Sequence, residues 1–142
     1  MKLVHSLTLL VVASLAMPSA LANFHLIQGI DPHTNVGNVL VACPSNQYNC
    51  DCFTGADHGA EILDHSGIPG SPGDFFWTDR GLCGMPRLDF YKREDGHWDF
   101  FTHNGDGTVE GRCYTNAGHQ PIICEGNSYI ETLLCSSYIC NK

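Results

Sequence analysis

Three residues of the sequence carry side chains that acid–base catalysis uses. His97, His103 and Glu110 fall in one short stretch, with Arg112 two residues further on. Small secreted ribonucleases cleave phosphodiesters with such a set of His, Glu and Arg side chains. His97 and His103 share strand parity, so both would face one way on an extended chain. The stretch offers a hydrolase alternative, but we favour the interpretation that these are polar residues on a solvated strand face.

Two other stretches hold side chains that metal ions prefer. Asp57-His58 and Asp64-His65 repeat an acid–imidazole pair seven residues apart, which would share a face of a helix. Zinc ligands on one helix usually stand four residues apart, so this spacing is too loose. Oxygen-bearing residues alternate in 104–110, yet the EF-hand positions for Gly and Glu are not filled. We therefore expect neither a metal nor another cofactor. The sequence also lacks the G-x-S-x-G motif of serine hydrolases and a Gly-rich phosphate loop.

Aromatic residues gather in residues 75–77 and 98–101. Such clusters can stack on sugar rings or contact a protein, although most of them should build the core of a small domain. A Pro/Gly-rich stretch precedes the first cluster, and we expect residues 68–79 to form an exposed loop. Trp77 and Arg80 are its expected binding anchors, because Trp and Arg are enriched at binding hot spots.

The first 22 residues have the order of a secretory signal peptide. Lys2 supplies the positive charge, residues 7–17 form an uncharged apolar run, and Ala20 and Ala22 fit an Ala-x-Ala cleavage site. The apolar run is shorter than the roughly 20 residues of a membrane span. We therefore expect residues 1–22 to be removed and residues 23–142 to form one secreted, cysteine-rich domain.

All eight cysteines lie in the expected mature domain. An even number of cysteines in a secreted chain predicts disulfide bonds, here four of them, and their spacings do not match a zinc site. The sequence does not determine the pairing, although it favours a local Cys135–Cys140 bridge and a Cys113–Cys124 bridge. The cysteines are Cys43, Cys50, Cys52, Cys83, Cys113, Cys124, Cys135 and Cys140.

Acidic residues outnumber basic ones, and the net charge is −8 with histidines neutral. A nucleic-acid-binding domain normally carries a basic patch. The one basic pair, Lys92-Arg93, is followed at once by Glu94-Asp95. We therefore expect the protein neither to bind nucleic acid nor to insert into a membrane.

Residues 87–115 carry the clearest structural pattern. Apolar and polar residues alternate up to Asp95-Gly96, which predicts a hairpin turn of type I′, and a second turn is expected at residues 104–107. The pattern predicts a three-stranded β-meander, whose exposed face is a second expected binding surface.

Apolar, β-branched stretches predict further strands at residues 24–30 and 38–43, and residues 120–125 and 128–134 could add more. Residues 54–65 predict one short helix, with Thr54 as its N-cap. The expected fold is therefore mainly β, a meander within a small barrel or sandwich, with one helix and several disulfide staples. An α+β fold is the alternative.

The layout of signal peptide, about 120 mature residues, eight cysteines and aromatic hairpins resembles the small cysteine-rich secreted proteins of filamentous fungi. These include effectors and elicitors of plant cell death. The resemblance implies a non-catalytic virulence protein that binds, or is perceived by, an extracellular or cell-surface host protein and provokes a hypersensitive response. A small secreted hydrolase and an antimicrobial or toxin-like protein are the alternatives, and the oligomeric state stays open.

Mass spectrometry of the secreted protein checks the first prediction. The chain should begin at Asn23 and weigh eight hydrogens less than its reduced form, because eight cysteines form four bridges. A free thiol detected under denaturing conditions without reductant would contradict it.

Overall fold

A computed structural model describes residues 22–30, 37–54, 59–64, 72–115 and 120–140. Residues 1–21, which hold nearly all of the predicted signal peptide, lie outside the described residues. No helix in the described part of the chain is long and apolar enough to cross a membrane. The strands are β1 (Ala22–Ile30), β2 (Gly37–Pro44), β3 (Ala60–Asp64), β4 (Phe75–Thr78), β5 (Leu88–Lys92), β6 (Trp98–Thr102), β7 (Val109–Thr115), β8 (Ile122–Cys124) and β9 (Asn127–Ser137). Short helices cover Ser45–Gln47 (3-10), Cys50–Phe53 (α1) and Leu82–Gly84 (3-10).

The strands form one antiparallel barrel. Strands β1 to β7 pair in chain order, β9 pairs with β7, and β1 pairs with β9, so eight strands close on themselves. Strand β8 pairs with the start of β9, along the same edge of β9 that pairs further on with β7. Closure leaves few unpaired strand edges. The predicted mainly β, disulfide-stapled fold is confirmed, and the barrel alternative is the one that forms.

Phenylalanine rings fill the barrel. The rings of Phe24 and Phe100 meet edge to face with centroids 5.3 Å apart, and Phe76 stacks on Phe90 at 4.6 Å. All four side chains are fully buried. Burying aromatic rings contributes much of the stability of a small domain, and edge and offset contacts suit their charge distribution.

A second apolar cluster lies outside the barrel wall. Ile27 and Val41, on β1 and β2, pack with Phe53 of α1 and with Tyr129 of β9. Two disulfides, Cys43–Cys52 and Cys50–Cys124, attach α1 to β2 and to β8. This side of the barrel is therefore covered and cross-linked, whereas the strands from β4 to β7 carry no such layer among the described residues.

The predicted count of four disulfides is confirmed, but the two favoured pairings are wrong. Cys113 bonds Cys135, its direct partner in the β7–β9 register, with Cα atoms 3.9 Å apart. Cys140 bonds Cys83 and so attaches the end of the chain to the segment between β4 and β5. The local Cys135–Cys140 bridge fails because Cys135 belongs to a long strand that turns its side chain into the core.

The predicted helix at residues 54–65 is also wrong. Ala60–Asp64 is strand β3, paired between β2 and β4, and Thr54 ends α1 instead of starting a helix. The N-cap is Asn49, whose side chain accepts a hydrogen bond from the Cys52 amide at 3.2 Å. Ala60 and Ile62 are buried while Glu61 and Leu63 are exposed, which is the two-residue period of a strand. Residues 55–58 and 65–71 lie outside the described residues.

The meander is confirmed as β5, β6 and β7, but its first turn differs from the predicted type. Of Asp95 and Gly96 only Gly96 has a positive φ, +91°, whereas a type I′ turn needs both. Two consecutive positive φ values occur instead at Glu125 and Gly126, +50° and +85°, between β8 and β9. Residues 128–134 form part of the long strand β9.

Gly111 of β7 is a sensitive position of the barrel. A Cβ atom there would lie 2.6 Å from the Phe100 ring and close to the backbone oxygen of Ser136. We expect Gly111→Ala to lower the free energy of unfolding by about 1–3 kcal/mol, as overpacking commonly does. Urea titration followed by circular dichroism measures it. Thr115→Ala, at an exposed site on the same strand, is the control and should change stability by less than about 0.5 kcal/mol; equal stability of the two variants would contradict this packing.

Candidate functional site

The outer face of β4 to β7 gathers aromatic, basic and acidic side chains. Because Phe76, Phe90 and Phe100 point into the barrel, the residues that flank them on each strand point outward. The registers place Phe75 beside Tyr91 and Trp77 beside Asp89. We call this surface the aromatic–arginine face. It consists of Phe75, Trp77, Arg87, Asp89, Tyr91, Arg93, His97, Asp99, Phe101, His103 and Arg112.

Four aromatic rings form a continuous band across this face. Phe75 contacts Trp77 at 5.5 Å and Tyr91 at 4.7 Å between ring centroids, and Tyr91 contacts Phe101 at 5.9 Å. Tyr91 is 42% exposed, so the band reaches solvent.

Arginines lie on the ends of the band. The guanidinium carbon of Arg87 lies 4.7 Å from the centroid of the Trp77 ring, and that of Arg93 lies 5.8 Å from the centroid of the Phe101 ring. Such cation–π contacts fix the positions of long side chains that are otherwise mobile.

Asp99 organises one half of the face. Its carboxylate accepts hydrogen bonds from Arg93 Nε at 2.7 Å and Arg112 Nε at 3.1 Å, and His97 Nε2 lies 3.1 Å away. Burial alone would raise the pKa of Asp99, but the hydrogen bonds from Arg93, His97 and Arg112 outweigh it and hold the pKa below its usual value. The ionised carboxylate therefore holds two arginines in place at neutral pH.

Asp89 holds the basic side chains in the other half of the face. Its oxygens lie 2.8 Å from Arg87 Nε and 2.6 Å from His103 Nδ1, and the residue is only 7% exposed. A nearly buried carboxylate needs such partners to offset its lost hydration. Asp89 thus orients Arg87 over Trp77 and holds His103 at the end of β6.

A cleft of about 480 Å³ opens at that end of the face. Tyr91, Arg93, Phe101 and His103 line it, together with the loop that follows β6. In this loop Asn104 adopts a positive φ of +57°. The cleft therefore offers rings, a guanidinium and an imidazole to one ligand group.

The structure does not bring together the three residues of the hydrolase alternative. His97 precedes β6 and His103 follows it, so they stand at opposite ends of the strand, about 20 Å apart. His97 contacts Asp95 and Asp99, and Glu110 accepts a hydrogen bond from Thr102 Oγ1 at 3.1 Å. His97 and His103 do face the same side of the strand, as expected, but they lie too far apart to reach one substrate atom.

The two predicted binding anchors occupy different surroundings. Trp77 lies in β4 and on the aromatic–arginine face, half-buried under Arg87. Arg80 lies beyond the strand, with its side chain 70% exposed and its Nε 3.3 Å from Asp79. The predicted loop at residues 68–79 is wrong for Phe75–Thr78, which form β4, and residues 68–71 lie outside the described residues.

The exposed face of the meander, a binding surface expected from the sequence, forms most of the aromatic–arginine face, and Phe75 belongs to an aromatic cluster that the sequence already indicates. The sequence does not single out Asp89, Tyr91 or Asp99, although their alternation with buried phenylalanines is a signal that they share one outward side. What the sequence does not show is the order and register of the strands, which makes them neighbours.

Two stretches hold side chains that metal ions prefer, although the sequence predicts no metal site in either. In the described residues no group of three or more His, Cys, Asp or Glu could hold an ion. Asp57, His58 and His65 lie outside the described residues. Within 104–110, Asp106 Oδ1 accepts a hydrogen bond from the Thr108 amide at 2.9 Å, which stabilises the turn.

The fold and site define a disulfide-stapled antiparallel barrel whose outer wall carries an ordered cluster of aromatic, basic and acidic side chains. Comparison with family models, with characterised proteins and with solved structures finds no match.

Replacing Asp99 tests the organisation of this face. We expect Asp99→Asn to lower the free energy of unfolding at pH 7 by about 2 kcal/mol, because hydrogen bonds to a charged group are lost. Since the pKa of Asp99 is lowered in the folded protein, its contribution is complete above the unfolded value of about 3.9 and disappears as pH falls through the folded value.

The difference between wild type and Asp99→Asn should therefore shrink as the pH falls below about 4, the ordinary pKa of an Asp side chain. Thermal unfolding at several pH values measures it. Glu94→Gln, an exposed carboxylate of the nearby turn, serves as the control. A deficit for Asp99→Asn that is the same at pH 7 and pH 2 would contradict this role for the carboxylate.

Proposed function

We propose that this chain is a secreted, non-catalytic effector or elicitor that binds, or is perceived by, an extracellular or cell-surface protein of a plant host. Recognition uses the aromatic–arginine face. The observation that carries the proposal is the pair of nearly buried carboxylates, Asp89 and Asp99, which hold Arg87, Arg93 and Arg112 around a band of aromatic rings.

The composition of the face suits protein recognition. Trp, Tyr and Arg dominate binding hot spots, and a hot spot works best when its side chains are already ordered. Here Trp77 and Phe101 lie against arginines that their carboxylate partners fix, so binding would cost little side-chain entropy. Tyr91, exposed between them, would be the first ring to meet a partner.

The covalent framework is compatible with an extracellular protein. Four disulfides are rare in the reducing cytosol and common in secreted domains. They also favour survival among extracellular proteases, because cross-links limit local unfolding. The overall acidity of the chain favours a protein partner over a nucleic acid.

Substitution on the face tests the proposal in plant leaf tissue. Pure Trp77→Ala/Tyr91→Ala protein should need at least a tenfold higher dose than wild type to provoke cell death or a defence response. Tyr138→Ala is the matched control, because Tyr138 is an exposed ring (69%) outside the face, and it should keep the wild-type dose. Arg80→Ala should have a smaller effect, since this side chain is exposed and pairs only weakly.

Circular dichroism and a thiol assay confirm that each variant is folded and oxidised before infiltration. Full activity of the folded double variant would reject this face as the recognition surface. A ribonuclease or glycan-hydrolase rate that rises and falls with the leaf response would instead favour the hydrolase alternative, and permeabilised anionic vesicles would favour the toxin-like one.

A further inference from the structure

One disulfide lies in an open cleft at the end of the barrel where β2, β4 and β9 finish. Cys83 and Cys140 both line this cleft, which has a volume of about 350 Å³, together with Gln47 and Ile139. Both cysteines are partly exposed. Each of the other three bridges includes at least one cysteine that is no more than 2% exposed. A reductant in solution therefore reaches the Cys83–Cys140 bridge more easily than the others.

The charges around the bridge also favour its reduction. The attacking group in thiol–disulfide exchange is a thiolate anion, which nearby negative charges repel. None of the described residues that line the cleft carries a charge. The next most exposed bridge, Cys50–Cys124, has an acidic neighbour at each end, Asp51 and Glu125. In an acidic protein the uncharged cleft is therefore the more favourable place for a thiolate.

The bridge restrains Cys83 in a backbone conformation that side chains disfavour. Its φ is +55° and its ψ is 33°, and Gly84, the next residue, has a φ of +77°. In this left-handed region the Cβ atom approaches a backbone oxygen, so glycine is the usual occupant. Reduction removes the covalent restraint and lets Cys83 relax, and strained or exposed disulfides are the more easily reduced ones.

Backbone hydrogen bonds set the limits of the segment that the bridge restrains. A bond to β3 fixes Asp79 and a bond to the residue after β6 fixes Arg87, both at 2.8 Å. Between them the Met85 amide donates to the Leu82 carbonyl at 3.0 Å, which closes a turn within the segment itself. Residues 80–86 can therefore move while both of their ends stay attached to the barrel.

The bridge also closes the apolar core at this end of the barrel. Leu82 and Ile139 are the chain neighbours of the two cysteines, and they are 1% and 5% exposed. Both pack in the same core as the phenylalanine rings. Once the bridge opens, these two side chains can leave the core and present an apolar surface to solvent.

We propose that the Cys83–Cys140 bridge is a redox-sensitive switch, which a dithiol reductant opens before any other bridge of the protein. A thiolate of the reductant attacks one sulfur, forms a mixed disulfide with it and expels the other cysteine as a thiolate. The second thiol of the reductant then attacks the mixed disulfide and releases the remaining cysteine. Two electrons pass to the bridge, two protons end on the cysteine thiols, and the reductant becomes a disulfide.

The switch goes beyond the proposed recognition function and leaves its surface in place. Arg87 adjoins the released segment, but its Nε stays 2.8 Å from Asp89, which belongs to β5. Opening therefore frees residues 80–86 and 138–140 and uncovers Leu82 and Ile139. The barrel, its other three bridges and the aromatic–arginine face keep their structure.

Limited reduction by dithiothreitol, followed by alkylation and peptide mapping, tests the order of opening. Cys83 and Cys140 should be alkylated first, at least about tenfold faster than Cys50, the most exposed of the other cysteines. The intact mass should pass through a species that carries two alkyl groups. Reduction of another bridge first, or of all four together, would overturn the proposal.

Charge variants in the cleft test the attack by a thiolate. Gln47→Glu should slow the alkylation of Cys83 and Cys140 severalfold, and Gln47→Lys should accelerate it. Thr115→Glu is the control, because it adds a negative charge at an exposed site on the end of β7 that is remote from Ile139. It should leave the rate unchanged. Equal rates for the two Gln47 variants would refute attack within this cleft.

Hydrogen exchange of the species with two alkyl groups measures how far the opening spreads. The amides of residues 80–86 should exchange faster than in the oxidised protein, whereas those of β5 and β6 should keep their protection. A dye that binds exposed apolar surface should gain fluorescence, because Leu82 and Ile139 are uncovered. Unchanged exchange in residues 80–86, or loss of protection throughout the barrel, would contradict a local switch.

The double variant Cys83→Ser/Cys140→Ser should show the same exchange pattern without any reductant. If it fails to fold, the alkylated wild type still gives the answer. Its leaf response should equal that of wild type, and a folded double variant without a response would show that opening disrupts the face. The recognition variant Trp77→Ala/Tyr91→Ala should be reduced at the wild-type rate, so the two proposals fail independently.

Discussion

The pairing of β1 with β9 is the contact on which the rest of the structure depends. It joins the first described strand to the last one and turns a row of antiparallel strands into a closed barrel. Closure encloses the phenylalanine core and removes two edges that would otherwise invite association. Because Phe24 on β1 and Leu133 on β9 both pack in that core, the same pairing also completes it.

Closure leaves the protein with two different outer surfaces. On the side of β1, β2 and β9, a disulfide-linked layer of α1 and β8 forms a second apolar cluster. On the side of β4 to β7, charged and aromatic side chains form the outer surface, and no such layer of described residues covers them. There the carboxylates of Asp89 and Asp99 are nearly buried, and each is stabilised by arginine and histidine partners.

The positions of the basic residues follow from the need to stabilise these two carboxylates. The chain is acidic, yet Arg87, Lys92, Arg93 and Arg112 all lie on or beside the β5 to β7 wall. A desolvated carboxylate is tolerated only where cations meet it, and the arginines in turn are ordered by it. On the covered side the buried carboxylate of Glu131 is stabilised differently, because it accepts a hydrogen bond from the neutral Tyr48 hydroxyl instead of from an arginine.

The sequence by itself determined the strands of the meander, the oxidised state of the cysteines and the mainly β class, because side-chain alternation and cysteine number are local or countable properties. It did not determine the disulfide partners, the strand at Ala60–Asp64 or the aromatic–arginine face. Those depend on which strands become neighbours and in which register, and a shift of one residue reverses the side to which every side chain points. Only the tertiary structure could bring His25 to Glu131, since β1 and β9 meet across more than one hundred residues of chain, as the Leu26–Thr132 hydrogen bond shows with its separation of 106.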